Sequence, residues 1–469
     1  MDFRDNIRRA CVLLLYCFLP VLLALGYWQV VRAEWARDNQ YNRRSEYLRR
    51  HIVRGDIRDR QGVVLAENNP GARPEAEGGQ PGRWYPLLQA ASHVVGYEAR
   101  KHGRAGLERS QNDALLGLGR YYDAIRAYGV GEQHGYNVIA TLDSKVQQRG
   151  FDELALRRGA VVVIQPATGE ILALASAPGF NPNFVDREWR LLRQDKERPL
   201  LNRATSGLYP PGSAFKVVVA MAALDSGVCD EDTVFTCAGR ETVGGVTVQC
   251  HRHSGHGRIT FREAFTQSCN IAFAKIGLRV GGQRLDEYID RLHLREGLDI
   301  GIPVKAGRLP RFAESSEADL VQASFGQGEV VVTPTAMCMV AATVANGGQL
   351  VRPQLVSRVK ALDGALVAAA EPEAMGRVVS AETARRLGAL MVSVVGEGTG
   401  KKAGIPGVQV AGKTGTAQNE TGQDHAWFVA YAPADRPRAA VAVLLEQAGY
   451  GSNEAARAAR LVLQRILGG

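Results

Sequence analysis

Between Leu208 and Leu224 a sharp turn runs directly into an apolar segment, a combination that restricts this part of the chain to a capped, buried helix. The turn reads Leu-Tyr-Pro-Pro-Gly, and two prolines followed by a glycine interrupt regular structure. The apolar segment predicts a helix that ends near Gly227. Ser213 and Lys216 lie three positions apart at its start and therefore share one face. A desolvated lysine can take the proton of a neighbouring hydroxyl, so this pair is a candidate activated serine.

Two further motifs make this interpretation specific, because each of the three alone is commonplace on protein surfaces. They are Ser268-Cys269-Asn270 and Lys413-Thr414-Gly415-Thr416. Ser-x-x-Lys, Ser-x-Asn and Lys-Thr-Gly in this order form the signature of penicillin-binding proteins and serine β-lactamases. The sequence resembles a class B penicillin-binding protein of the penicillin-binding protein 2 type, a monofunctional D,D-transpeptidase that cross-links peptidoglycan. The resemblance covers essentially the whole chain.

The length and charge of the chain bound the classes of function. With 469 residues it is long enough for two or three domains, and its formal net charge is +9. The basic residues are scattered and form no patch interleaved with aromatic residues, so we expect no nucleic-acid partner. A basic face toward anionic lipid and wall polymer is the simpler interpretation.

An apolar segment near the N-terminus, Ala10–Ala33, is long enough to cross a bilayer. The alternative is a cleaved signal peptide, since Val31-Arg32-Ala33 loosely resembles a cleavage site. The run is long for a signal core, so we predict an uncleaved single-pass anchor at 10–33 in the cell membrane. The arginines before it place residues 1–9 in the cytoplasm and the rest of the chain outside, although arginines also follow the segment.

Residues 34–135 are predicted to form a small, separate, β-rich domain. Arg54–Ala66 has the pattern of a strand, a tight turn and a second strand, and Asn68–Gly82 has that of a flexible loop. In the resemblance, Arg54-Gly-x-Ile-x-Asp-Arg-x-Gly opens the extracytoplasmic pedestal of class B proteins. About 100 residues are too few for a glycan-polymerising domain, which argues against a bifunctional protein.

Residues 136–469 are predicted to be the transpeptidase domain. Apolar segments near 159–166, 170–176, 408–418, 425–431 and 439–445 predict strands, and 454–467 predicts an amphipathic helix. Residues 178–201 are polar and predict irregular structure. Helices before and after an antiparallel sheet give an α+β fold. By resemblance, this is the fold of the serine β-lactamases.

The resemblance, together with side-chain chemistry, assigns a role to each motif residue. Ser213 is the predicted nucleophile, Lys216 its base, and Ser268 a proton carrier to the leaving amine. Asn270 orients Lys216 and the substrate amide. The residues predicted to bind the terminal carboxylate and backbone of a D-Ala-D-Ala stem peptide are Lys413, Thr414, Gly415 and Thr416.

Two further inferences concern the surroundings of this predicted site. The backbone N–H groups of Ser213 and Thr416 form the oxyanion hole by resemblance. His425 and Trp427 are expected to have structural roles on the strand that follows Lys-Thr-Gly. The chemistry itself needs no metal or cofactor.

A cysteine-rich insert lies between the Ser213 helix and Ser268-Cys269-Asn270. Its four candidate ligands are separated by twelve, five and twelve residues: Cys237, Cys250, His256 and Cys269. A glycine-rich segment with so little core is expected to need a clip, and three thiolates with one imidazole suit structural zinc. Some relatives of the elongation type carry a zinc site in this segment. A Cys237–Cys250 disulfide, free thiols, or a zinc ligand at His251 or His253 stay open as alternatives.

Three functions compete on these motifs. The leading one is a membrane-anchored transpeptidase that acts on stem peptides, is acylated by β-lactams and works with a polytopic membrane glycan polymerase, a partner implied by the resemblance. A D,D-carboxypeptidase or β-lactamase would use water instead of an amine on the acyl-enzyme. A non-hydrolytic β-lactam sensor should carry several membrane spans. The sequence leaves open the choice between elongation, division and sporulation.

Overall fold

A computed structural model describes residues 3–32, 52–68, 82–118, 133–154, 157–418 and 422–468. Three sequence-based predictions fall partly on other residues. The end of the anchor at residue 33, the parts of the pedestal at 34–51 and 119–132, and most of the loop, at 69–81, lie outside the described residues.

The N-terminal helix is longer than the predicted anchor. It runs over Phe3–Gly26 and continues as a π-helical turn over Tyr27–Val31. Together these 29 residues have a mean hydropathy of 2.3 over their most apolar window, which is sufficient to cross a membrane. The helix begins at Phe3 instead of Ala10 because residues 3–9 contain no helix breaker and Asp5 favours the helix N-terminus. The predicted cytoplasmic tail is therefore part of the helix.

The described chain alternates short helices and strands around two main sheets. The α-helices are α1 (Phe3–Gly26), α2 (Gly106–Ser110), α3 (Asn112–Leu115), α4 (Ser144–Leu154), α5 (Val185–Gln194), α6 (Arg203–Ser206), α7 (Lys216–Asp225), α8 (Phe261–Thr266), α9 (Asn270–Val280), α10 (Gly282–Arg291), α11 (Glu317–Ala323), α12 (Pro334–Ala345), α13 (Ala381–Gly396) and α14 (Glu454–Leu467). Short 3₁₀ turns lie at Leu88–Ala91, Pro182–Phe184, Gly212–Phe215 and Lys401–Ala403.

The strands follow the same order along the chain. They are β1 (Ile52–Val53), β2 (Ile57–Arg58), β3 (Val64–Asn68), β4 (Arg83–Trp84), β5 (Tyr97–Ala99), β6 (Gly103–Ala105), β7 (Gln133–His134), β8 (Asn137–Ala140), β9 (Gly159–Ile164), β10 (Ile171–Ala177), β11 (Val234–Cys237), β12 (Arg240–Val243), β13 (Val246–Gln249), β14 (Gly257–Thr260), β15 (Leu298–Asp299), β16 (Pro303–Val304), β17 (Gln349–Val351), β18 (Val356–Lys360), β19 (Leu366–Ala369), β20 (Ala374–Arg377), β21 (Ala411–Ala417), β22 (His425–Ala432) and β23 (Ala439–Leu445).

A five-stranded antiparallel sheet forms the centre of the predicted transpeptidase domain. Its order is β10-β9-β23-β22-β21, so β21, which carries Lys-Thr-Gly, lies at one edge. Side chains alternate across it. Val162 belongs to the core on the α12 side, and Val161 packs into the second core, with α4 and α14. With helices on both faces, the sheet is buried on both sides, which is the predicted α+β architecture.

A second, six-stranded sheet crosses the predicted domain boundary at Tyr136. Its order is β19-β18-β8-β2-β3-β4. Strand β8 pairs in parallel with β2 and antiparallel with β18, so residues 356–369 complete a sheet that begins in the pedestal. The division of the chain at 136 stays a prediction, and the sheet joins its two parts.

Two local predictions differ from the structure. Residues 178–201 are not wholly irregular, because Asn181 caps the turn Pro182–Phe184 and α5 follows. This helix buries only Val185 fully and so lacks a strong apolar signal. The cysteine-rich insert is ordered as two nested hairpins, β11 with β14 and β12 with β13, and it buries the side chains of Phe235 and Val248.

Candidate active site

Ser213 lies on the 3₁₀ turn Gly212–Phe215, which runs directly into α7. Gly212 has a φ of +53°, and a side chain there would meet the Thr416 carbonyl oxygen at 2.3 Å, so only glycine fits. Its N–H donates to the Gly326 carbonyl at 3.0 Å. Phe215 is buried and holds the turn in place, while Ser213 is half-buried, so its hydroxyl is accessible.

Lys216 connects the nucleophile helix to the Ser268-Cys269-Asn270 motif. Its side chain is 0% exposed. The Nζ donates to the Ser268 carbonyl at 2.8 Å, to Ser268 Oγ at 3.2 Å and to Asn270 Oδ1 at 2.7 Å. Burial lowers the pKa of Lys216 to about 8, against an opposing effect of the nearby Cys269 and Cys250 thiols. A lowered pKa brings the neutral amine, the form that accepts a proton, into the physiological range.

Ser268 lies between two lysine side chains. Its Oγ is 3.2 Å from Lys216 Nζ and 2.9 Å from Lys413 Nζ. The backbone of Ser268 is left-handed, with a φ of +57°, a conformation that costs a non-glycine residue about 1–3 kcal/mol. A capping box of Thr260 and Glu263 fixes the start of the preceding helix α8. The hydroxyl can therefore pass a proton along a short path between the two amines.

Lys413 is 0% exposed, and its Nζ also donates to the Thr414 carbonyl at 3.2 Å. Burial first, and then the charge of Lys216, lowers the pKa of Lys413 well below its ordinary value. A ligand carboxylate beside this amine would raise the pKa again, because an opposite charge favours the ammonium. The geometry suits a lysine that binds an anion in a desolvated pocket.

The other residues of the Lys-Thr-Gly-Thr motif pack mainly against the protein. Thr414 Oγ1 lies 2.7 Å from Thr399 Oγ1. A side chain at Gly415 would lie 2.7 Å from the Pro211 carbonyl oxygen, so the glycine makes room for the Ser213 turn. This packing is a second reason for a glycine here, and the expected contact of Gly415 with the substrate backbone stays a prediction. The half-buried Thr416 accepts a long 3.5 Å hydrogen bond from the Gly451 N–H.

Asn270 is held by the cysteine-rich insert, a contact that sequence reasoning missed. Its Oδ1 accepts from Lys216, and its Nδ2 donates to the Gln249 carbonyl at 3.1 Å. Its backbone N–H points at Cys250 Sγ, 3.4 Å away. Gln249 carries no motif signal because it contributes only a backbone oxygen. The return strand behaves as expected, since the buried Trp427 donates from Nε1 to the Pro210 carbonyl at 2.9 Å.

The four predicted ligands of the insert lie together, with their ligand atoms within 4.8 Å of one another: Cys237, Cys250, His256 and Cys269. His256 Nδ1 is 3.4 Å from Cys237 Sγ and 3.5 Å from Cys250 Sγ, and the sulfurs of Cys250 and Cys269 are 3.7 Å apart. Tetrahedral zinc, with bonds of about 2.3 Å to sulfur and about 2.0 Å to nitrogen, would place its ligand atoms roughly 3.5–3.8 Å apart. The donor set therefore fits zinc.

The alternatives for the insert are narrowed by these contacts. All seven cysteines are free, so the Cys237–Cys250 disulfide is not formed. His253 bonds with the Gln249 side chain through Nδ1, and His256 lies in the cluster with the three sulfurs. His251 also hydrogen-bonds Cys250, so it stays open as an alternative ligand. The hydrogen bond between Cys250 and Cys269 lowers the pKa of Cys250 and raises that of Cys269, so the pair favours one shared proton.

A serine on a turn that leads into a helix with a buried lysine defines a class of site, that of the serine acyltransferases. The family model of the penicillin binding protein transpeptidase domain matches residues 159–467. The chain is 34% identical to the peptidoglycan D,D-transpeptidase PbpA of Mycolicibacterium smegmatis, over 95% of this chain and 94% of that protein. It is 30% identical to MrdA of Escherichia coli K12, over 79% and 69% of the two chains. The chain belongs to the penicillin-binding protein transpeptidase family.

Solved structures agree with this assignment. The ceftriaxone acyl-enzyme of penicillin-binding protein A from Mycobacterium tuberculosis has a TM-score of 0.83 at 32% identity, and the match covers 90% of this chain and 100% of that one. The D,D-transpeptidase domain of a peptidoglycan glycosyltransferase from Eggerthella lenta has a TM-score of 0.80 at 33% identity, over 89% and 99%. The fold is that of the penicillin-binding transpeptidases.

Proposed function

We propose that this protein is a membrane-anchored peptidoglycan D,D-transpeptidase that forms an acyl-enzyme at Ser213 and is acylated there by β-lactams. The observation that carries the proposal is the buried Lys216, whose Nζ contacts Ser268 and Asn270 at the base of the Ser213 turn. The family match and the acyl-enzyme structures of the mycobacterial relative support the same reaction. Serine acyl transfer in this family needs no cofactor.

In the first half-reaction, Ser213 Oγ attacks the carbonyl carbon of the penultimate D-alanine of a stem peptide. Neutral Lys216 takes the hydroxyl proton as the new ester bond forms. The peptide bond to the terminal D-alanine breaks, and its nitrogen gains a proton that reaches it through Ser268 Oγ. The terminal D-alanine leaves as a free amino acid and Lys216 is neutral again.

In the second half-reaction, an amine of a neighbouring stem peptide attacks the ester carbonyl. The amine loses a proton along the same Ser268 and Lys216 path as the new peptide bond forms. The ester bond breaks, and Ser213 Oγ takes a proton and becomes a hydroxyl again. Backbone N–H groups of Ser213 and Thr416 would stabilise the oxyanion in both steps. The close packing of Gly212 against the Thr416 carbonyl supports this pairing, because it brings the two segments together.

The substrate carboxylate is assigned to Lys413 and Thr416. Lys413 is buried and its lowered pKa would recover on binding an anion. Thr414 has a supporting role in this proposal, because its hydroxyl contacts Thr399. Strand β21 is the edge of its sheet and can pair its free edge with the extended peptide.

We also propose that Cys237, Cys250, His256 and Cys269 hold a structural zinc ion. Three near-tetrahedral ligand separations support it. Zinc would stabilise the fold of the insert and supply no step of the reaction. Cys269 caps α9, accepting from the Ala272 N–H, and it separates Ser268 from Asn270, so fixing its sulfur would fix both neighbours.

The remaining proposals concern topology and partners. The helix from Phe3 to Val31 would cross the cell membrane once, with its N-terminus in the cytoplasm and the catalytic domain outside. Residues 34–135 would be the pedestal and 136–469 the transpeptidase domain. A polytopic membrane glycan polymerase is the proposed partner of the span and pedestal.

Acylation mapping tests the central proposal. The detergent-purified full chain is incubated with a fluorescent penicillin, and the labelled peptide is identified by mass spectrometry. We expect one label at Ser213 and none in Ser213→Ala. Label that persists in Ser213→Ala, or that maps to another residue, would overturn the assignment.

A further inference from the structure

A carboxylate with no part in the reaction lies beneath the Ser213 turn, at the end of β23. We propose that Glu446, with Arg203 and Tyr209, is a positioning group that sets the location of Ser213 relative to the sheet. This inference rests on the proposed role of Ser213 as nucleophile.

The contacts of Glu446 are short and come from three segments. Its Oε1 accepts from the Tyr209 hydroxyl at 2.7 Å and from Arg203 Nε at 2.7 Å. Its Oε2 lies 3.1 Å from Arg158 Nε. The backbone N–H of Glu446 donates to the Arg158 carbonyl at 2.8 Å, so the carboxylate is anchored to the sheet. Two guanidinium groups compensate its charge.

Arg203, which bonds the other oxygen of the Glu446 carboxylate from Arg158, is held by further hydrogen bonds. It is 2% exposed, and its guanidinium also donates to the carbonyls of Arg198 and Glu197. Its backbone N–H donates to Ser176 Oγ at the end of β10. These bonds fix the position of the Arg203 guanidinium, and the fixed guanidinium in turn holds the Glu446 carboxylate in one position.

Tyr209 transmits this anchor to the nucleophile. It lies four residues before Ser213, and its backbone N–H and carbonyl both pair with Val332 at 3.0 Å. Pro210 and Pro211 follow, and their fixed φ angles leave little freedom before the 3₁₀ turn. A displacement of the Tyr209 ring would therefore move the Ser213 turn.

The space around Tyr209 is shaped for one ring position. A side chain at Gly207 would lie 2.4 Å from the ring and 2.6 Å from the hydroxyl. The ring meets His425 edge-on at 5.5 Å, and His425 begins the strand paired with Lys-Thr-Gly. Burial, and then the charge of Glu446, raises the pKa of Tyr209, so the hydroxyl stays protonated and remains a donor. The cluster thus joins both catalytic segments to the same carboxylate.

The test separates positioning from folding. Tyr209→Phe removes one hydroxyl and leaves the Arg203–Glu446 pair intact. We expect the first-order acylation constant with a fluorescent penicillin to fall about tenfold, since small displacements of reacting groups cost up to about 100-fold. The dissociation constant of the non-covalent complex should stay within twofold. Tyr288→Phe is the matched control. The Tyr288 hydroxyl also donates to a carboxylate, that of Asp225, at a distance of 2.9 Å, but this pair lies outside the site.

Glu446→Gln gives a second measurement, because the amide keeps an acceptor for Tyr209 but loses the charge that holds Arg203. We expect a similar fall in the acylation constant, and less than additive effects when it is combined with Tyr209→Phe. Lower melting temperatures with unchanged acylation in both variants would assign the cluster to stability alone and overturn the proposal. Labelling that survives in Ser213→Ala would instead contradict the proposed function.

Discussion

The wall of the site that carries Ser213 and the wall that carries Ser268 rest on different parts of the fold. The nucleophile wall consists of the segment Gly212–Lys216 and of β21, the edge strand of the buried central sheet, on which the segment packs. The insert wall, formed by Ser268–Asn270 and the hairpins β11–β14, rests on a thiol and imidazole cluster and on the carbonyl of Gln249. Close packing and the Glu446 cluster fix the first wall, whereas the thiol and imidazole cluster and a backbone contact fix the second.

This difference predicts different vulnerabilities. Mutations on the nucleophile wall should act by displacing the Ser213 turn, because a close-packed interior transmits small volume changes and the Tyr209 anchor holds the turn in place. Mutations on the insert wall should act through lost ligands or hydrogen bonds. Lys216 belongs to the first wall and bonds to the second, so it reports on both.

Lys216→Ala removes the link between the walls and should have the largest effect. Loss of a general base costs about 100- to 10,000-fold, so we expect the acylation rate with a fluorescent penicillin to fall by at least about 100-fold. Circular dichroism should show an intact fold. Lys275→Ala, which removes a lysine of α9 paired with Glu241 of the insert, is the control and should acylate normally. An acylation rate within threefold of wild type would remove Lys216 from the mechanism.

Gly415→Ala tests steric control of the nucleophile wall. The new methyl group would lie 2.7 Å from the Pro211 carbonyl oxygen and 2.8 Å from Trp427 Cβ. Overpacking of this kind costs about 1–3 kcal/mol, and we expect about tenfold slower acylation as the turn is pushed away. Gly396→Ala is the control, because that helical position has open space around it. Normal acylation and melting temperature in Gly415→Ala would refute the packing explanation.

The pH dependence of acylation tests whether Lys216, the lysine that contacts both walls, acts as the base. The neutral form of Lys216 is the base, so the rate should rise with pH and level off above the pKa of about 8. Between pH 7 and pH 8 we expect roughly a fivefold increase, because the neutral fraction grows from about a tenth to about a half. Stopped-flow acylation from pH 6 to pH 10 measures this. A midpoint near the ordinary lysine value would mean that burial does not activate the amine.

Cys250→Ser should have the smallest effect on the reaction and the clearest effect on the insert. We expect about one zinc ion per chain in the wild type by elemental analysis, and its loss in this variant, with a melting temperature lower by about 2 °C or more. Acylation should slow about two- to threefold, because Ser268 and Asn270 lose a support. Cys229→Ser, at a buried cysteine outside the cluster, should keep the zinc. Wild-type protein without zinc would refute the metal site.

The parts of the fold that follow a local pattern were predictable. The bounds 439–445 and 454–467 coincide with β23 and α14, because continuous apolar strands and amphipathic helices carry their own periodicity. The capping box at Thr260 was equally local. The four candidate ligands of the insert do lie together, although residue types and the resemblance had left His251 and His253 open beside His256.

Contacts between distant segments were not predictable from those patterns. The bond from Tyr209 to Glu446 joins residues 237 positions apart, and no periodicity marks either one. Gly415 was recognised in its motif, but the neighbour that requires a glycine, Pro211, belongs to another segment. Helix α5 was missed because five of its ten residues are charged. Its short apolar stripe, Val185, Trp189 and Leu192, packs in one cluster with Tyr97 and Ala99 of the pedestal, a contact that no local pattern marks.

The shared six-stranded sheet has a consequence for the order in which the protein matures. Strands β2, β3 and β4 come early in synthesis, yet β18, which completes the far side of β8, is contributed by residues 356–360. Until that segment has been made, β8 offers an open hydrogen-bonding edge on that side. The pedestal sheet therefore cannot be completed before most of the catalytic domain has been synthesised. A fragment that ends before residue 356 would expose an unpaired strand edge and should be prone to aggregation.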